Sequence, residues 1–241
     1  LERKEKPDMT DKDTSMRWGT ICAIASGVVF LVPLVFYFYL LPQAGSSATH
    51  ALDPHSFLPW MAAHGSVRIA LWWTVCLAFL IVLFGVPFAL RRRLEGFSPT
   101  ASKMAELAGI LGAFTIVLAS LLLVAGELPL AQAYVEASEE ARPAIVAIYE
   151  WQRLATAILF DVLGIFLLGV WILVSSTVGL RSSRLPKGIG WFGIVAALLC
   201  FSFVTGYITK IEWLGETGLG ALAFLAVPAW LIWLGIVFWR T

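Results

Sequence analysis

The sequence predicts an all-α, polytopic membrane protein built as a six-helix transmembrane bundle, and three observations carry that prediction. First, 59% of the 241 residues are hydrophobic and only 14% charged, with a mean hydropathy of +0.84, which no water-facing surface tolerates. Second, the apolar residues gather into six runs, each near the length of about 20 residues that a helix needs to cross about 30 Å of hydrocarbon. Third, none of the runs alternates with period two, so lipid-bathed helices fit and barrel strands do not.

The six spans are residues 18–41, 67–90, 104–128, 151–180, 189–208 and 219–239. Residues 1–17 precede them as a charged leader, in which ten ionisable side chains of mixed sign leave no apolar periodicity. The first span is longer than the apolar core of a signal peptide, so it reads as retained, and residues 18–241 form a single membrane domain. Pro33, Pro87 and Pro228 interrupt three spans and predict bends.

Orientation follows from the basic residues. Thirteen of the 17 Lys and Arg flank one side of the six spans, concentrated in the leader, in Arg91, Arg92 and Arg93, and in Arg181, Arg184 and Lys187. The other side takes only Arg68, Arg142, Arg153 and Lys210. The expectation is a bacterial inner (plasma) membrane protein with both termini cytoplasmic. Most tryptophans fit an aromatic belt, with Trp60, Trp151 and Trp213 at the outer boundary and Trp18, Trp191 and Trp239 at the inner one.

The formal net charge of +1 excludes a basic field for collecting nucleic acid. Cys22, Cys76 and Cys200 sit in apolar runs without CxxC or Cys/His spacing, which argues against a disulfide framework and a cysteine zinc site. The sequence holds no HExxH, GxSxG or phosphate-binding loop, so an enzyme is not indicated.

Ionisable residues inside hydrocarbon are costly and therefore mark candidate sites. Asp161 reads as the only clear case. With Glu150, Arg153 and Ala157 it follows i, i+3, i+7, i+11, which on an ideal helix places the three ionisable groups on one face. Arg68, Glu127, Lys210 and Glu212 fall at the outer level of their spans. Together with Glu150 and Arg153 they predict a charged ring around an outward-opening polar depression with Asp161 at its floor.

All three histidines, His50, His55 and His64, lie in the first outer loop beside Asp53, and a metal or redox-cofactor site there is an alternative expectation. Their spacings of five and nine differ from the i, i+4 pair of a helical metal site. Asp53-Pro54 reads as a cap followed by proline at the first helical position, starting a short interfacial helix through Trp60. No cofactor is otherwise expected.

A weak internal repeat aligns spans two and three with four and five, Arg68-Ile-Ala-Leu against Arg153-Leu-Ala-Thr and the two basic turns against each other. The stretch Arg184-Leu-Pro-Lys-Gly-Ile-Gly-Trp-Phe-Gly193 heads the fifth span. It resembles bacterial six-helix membrane families of unknown function over roughly the fourth and fifth spans. The resemblance implies the architecture and no catalytic residue.

The expected function is a binding or accessory subunit that engages a small ligand, a lipid or a partner. Membrane lipids and a second copy or another membrane subunit are the expected partners. The alternative from a different class is a proton-coupled secondary transporter using Asp161.

Overall fold

A computed structural model describes residues 9–45, 53–211, 213–214 and 218–240, with side chains from residue 16 onward. Six helices dominate it. Helix α1 runs Met9–Val35 and continues through a π turn, Phe36–Leu40, into a last turn, Leu41–Gln43. Helices α2 (Pro54–Leu94), α3 (Pro99–Glu136) and α4 (Arg142–Arg181) follow, and then α5 (Lys187–Thr209) and α6 (Leu219–Trp239). Among the described residues all six are long and apolar enough to cross a membrane.

Each helix packs on its sequence neighbour, and α1 packs on α6, so the six close into a ring in chain order. Trp171 of α4 and Trp230 of α6 meet edge to face in the middle, centroids 5.5 Å apart, and both are fully buried. Small residues permit the close contacts that lipid-immersed helices need. A Cβ on Gly27 would lie 2.9 Å from the Pro228 carbonyl oxygen, and one on Gly112 3.0 Å from the Leu168 backbone nitrogen. The approaches of α1 to α6 and of α3 to α4 therefore require glycine at these positions.

The two ends of the ring differ. At the basic end lie Trp18, the Arg91–Arg93 turn and Phe238, so α1 begins and α6 finishes on the same side. At the opposite, extended end, α2, α3 and α4 all run past the predicted spans. There Phe57, Leu58, Met61, Ala131, Tyr134 and Tyr149 form a second small core beyond the main one.

Several sequence expectations change here. The interfacial helix begins as predicted, with the Asp53 side chain accepting from His55 N–H at 3.1 Å, but it is continuous with the second span. Its only break is a non-helical residue, His64 (φ −125°). The charged leader is already helical from Met9. Pro143 lies in the first turn of α4 and starts that helix.

Candidate functional site

Two ion pairs join α2 to α3, one at each end. Arg68 and Arg91 are 23 residues apart on α2, hence about 34 Å, and Glu106 and Glu127 are separated by about 31 Å on α3. Those lengths match the hydrocarbon thickness, so each pair sits where a membrane interface would lie.

At the extended end Arg68 meets Glu127 in a two-point contact, Nε to Oε2 and Nη2 to Oε1, both 3.2 Å. Their side chains are 15% and 3% exposed. The guanidinium lies 5.4 Å from the Phe57 ring centroid and 5.3 Å from that of Trp72, and Tyr149 stacks on Phe57. Aromatic faces roof the pair, and both carboxylate oxygens are used.

This arrangement revises the predicted ring. Arg68 and Glu127 are nearly enclosed and spend their hydrogen-bonding groups on each other. Glu150 and Arg153 point outward, exposed, on the stretch of α4 that reaches beyond the slab. Lys210 is exposed at the left-handed end of α5 (φ +59°), its Nζ 4.5 Å from the Tyr207 ring. Glu212 falls outside the described residues.

Asp161 is half-buried in a π-helical segment, Ile158–Gly164. The wider π turn carries an extra residue relative to α geometry, so the i, i+3, i+7, i+11 face does not run unbroken from Glu150 to Asp161. No feature of composition announced that break. The repeat also diverges at its opening arginines, since Arg68 is enclosed and Arg153 exposed.

The histidines take separate partners. His55 Nδ1 lies 2.9 Å from the Tyr134 hydroxyl, and His64 stacks on Trp60 with Nδ1 3.3 Å from that residue's carbonyl oxygen. His50 lies outside the described residues. Among the described residues no group of three His, Cys, Asp or Glu side chains comes together as metal ligands would. Asp53 serves as the helix cap, and hydrogen bonds from the Ser56 side chain and the His55 N–H hold its carboxyl below the usual range.

The basic end is organised differently. Its three consecutive arginines take three directions. Arg91 Nη1 donates to Glu106 Oε2 at 2.6 Å, and its Nε stands 3.8 Å from Glu95 Oε2 without a hydrogen-bond partner. Arg93 Nε donates to the Arg184 carbonyl at 3.0 Å and covers the Phe238 ring. Arg92, between them, is exposed.

Beside Arg91 and Arg92 is a cavity of about 430 Å³ between α1 and α2, within the size range of small-molecule sites. Trp18, Phe84 and Phe88 form its apolar wall, and Glu95 and Glu106 complete its polar rim. A second hollow of about 340 Å³ between α4 and α5 is almost wholly apolar, lined by residues such as Phe166 and Phe201.

Sequence reasoning passed over this site. In the sequence Arg91 and Arg92 mark topology and Trp18 marks the aromatic belt. Glu106 lies inside the predicted span 104–128, as does Glu127, so Asp161 is not alone among intramembrane acids. The signal available was the spacing of Phe84, Phe88, Arg91, Arg92 and Glu95, one stripe of α2 that turns from aromatic to charged at the interface.

A closed ring of six membrane-length helices, with a sealed ion pair at one end and an open one at the other, defines a polytopic membrane protein with an interfacial cavity. Residues 25–237 match the family described as Domain of unknown function (DUF4386), and the chain belongs to it. Neither the curated proteins nor the solved structures compared with the chain gave a significant match.

Proposed function

We propose that this protein is a phospholipid-binding component of the bacterial inner membrane, a binding or accessory subunit without chemistry of its own, and that its ligand occupies the cavity at the basic end. The observation that carries this reading is the stripe on α2. From Phe84 to Glu95 it spans about 16 Å, two exposed aromatic side chains followed by an arginine pair and a carboxylate, the polarity profile of a phospholipid lying along a helix. The exposed guanidinium of Arg92 supplies donors for a phosphate, and Trp18 closes the opposite wall from α1.

With the excess of Lys and Arg facing the cytoplasm, both termini are cytoplasmic and the bound lipid belongs to the inner leaflet. Arg92 and Phe84 are both exposed, so replacing them leaves the core intact. Purified protein is expected to carry a phospholipid through washing in mild detergent, and R92A/F84A protein is expected to lose it. Equal lipid content in both, by mass analysis, rejects the reading.

A second reading keeps Asp161 as the coupling residue of a proton-driven carrier, favoured by its place in a π segment, since such segments concentrate at functional positions. Flux into reconstituted vesicles under a pH gradient tests it. A flux that Asp161→Asn leaves unchanged eliminates this mechanism.

A further inference from the structure

The polar rim of the basic-end cavity carries two positive and two negative side chains, Arg91 and Arg92 against Glu95 and Glu106. We infer that the cavity selects a zwitterionic headgroup with a phosphate and a primary ammonium, that is, a phosphatidylethanolamine. The inference rests on the phospholipid reading above and adds the headgroup to it.

The four charges are not equivalent. Glu106 is nearly buried and committed to Arg91 at 2.6 Å, which also takes up one edge of that guanidinium. Glu95 is half exposed, and its nearest cation is the Arg91 Nε at 3.8 Å, too long for a hydrogen bond. The rim therefore offers one carboxylate with accepting capacity beside the exposed guanidinium of Arg92.

A phosphate held by Arg92 brings its ethanolamine within reach of Glu95, about one turn further along α2. Each charge of the headgroup then meets its opposite. A phosphatidylglycerol headgroup carries the same phosphate but a neutral glycerol, which leaves the Glu95 carboxylate without a counter-charge. A choline headgroup has no N–H to donate to a carboxylate, and quaternary ammonium groups are recognised by aromatic cages instead.

The apolar half fixes the source of the headgroup as a lipid. Phe84, 66% exposed, and Phe88 lie on the bilayer side of the arginines, where acyl chains run. A soluble phosphoethanolamine compound leaves both uncovered.

The test presents the full chain, stripped of lipid by detergent exchange, with equimolar phosphatidylethanolamine, phosphatidylglycerol and phosphatidylcholine of identical acyl chains. Bound lipid is read by native mass spectrometry. Phosphatidylethanolamine is expected to exceed each of the others about five-fold, the size of one partly exposed ion pair. Glu95→Gln is expected to erase that preference while total bound phospholipid persists, and Glu95→Asp to keep it.

Equal retention of the three lipids, or a preference that survives Glu95→Gln, overturns the headgroup inference and leaves the phospholipid reading standing. No retained lipid at all, or retention untouched by R92A/F84A, overturns both. Glycerophosphoethanolamine without acyl chains is expected not to displace the lipid. Displacement at equal concentration would identify a soluble ligand and overturn the lipid assignment.

Discussion

The same two helices hold an Arg–Glu pair at each end, and the two pairs have opposite characters. At the extended end Arg68 and Glu127 exchange two hydrogen bonds under Phe57 and Trp72, with side chains 15% and 3% exposed. At the basic end Arg91 is 37% exposed and reaches Glu106 through one nitrogen, with the exposed Arg92 next to it beside a cavity. A saturated, enclosed pair fastens helices together and has no capacity left for a ligand. An unsaturated pair beside space retains that capacity, so charge alone does not mark a site. What marks it is charge with unused hydrogen-bonding groups and room next to them.

That contrast is broken most forcefully at the sealed pair. Glu127→Ala leaves the Arg68 guanidinium enclosed without its counter-charge, and the expected loss is about 3–5 kcal/mol in an unfolding titration in mixed micelles. A loss under about 1 kcal/mol would mean that the cage is wetter than its geometry indicates. At the open pair Glu106→Gln keeps an acceptor for Arg91 and leaves it water-accessible, so a smaller loss of roughly 1–2 kcal/mol is expected. Equal losses at the two ends would erase the distinction between them.

The smallest effect concerns the cap of α2. The Asp53 carboxyl is held low in the folded protein, so its stabilising contribution is complete above its unfolded value near pH 4 and is lost as the pH falls through the lower folded value. Asp53→Ala is therefore expected to lower the melting temperature slightly at neutral pH. The gap to the unaltered protein should close on acidification. A gap that widens toward low pH would contradict the cap.

Much of this fold was legible because hydropathy reports depth. The six spans follow from run length, and the start of α2 follows from Asp53-Pro54. Depth also put Arg68 and Glu127 at one level. Whether two groups at one level face each other depends on the rotation of each helix, and that is set by packing, such as the glycine contacts of α3 with α4. Depth therefore sets Arg68 and Glu127 level with each other but does not say that Glu150 and Arg153 turn outward.

The polar extension of α3, and the continuity of the interfacial helix with the second span in α2, escaped for a related reason. Beyond the slab, helices are stabilised by tertiary contacts, here the cluster around Phe57 and Tyr149, and not by an apolar run. The π segment at Asp161 left no mark in residue type at all. Glu106 was hidden inside an apolar window, and its partner lies across the turn on another helix. Arg91 and Arg92 were visible throughout, but a count of charges gives them a side of the membrane and not a task.

The most direct measurement is a density map of the full chain in a bilayer disc containing phosphatidylethanolamine. The account predicts a headgroup and the start of an acyl chain between α1 and α2, with the phosphate beside Arg91 and Arg92 and the chain along Phe88 and Phe84. Density for a ligand within the Arg68–Glu127 cage, or a basic-end cavity closed by its own side chains, would contradict it.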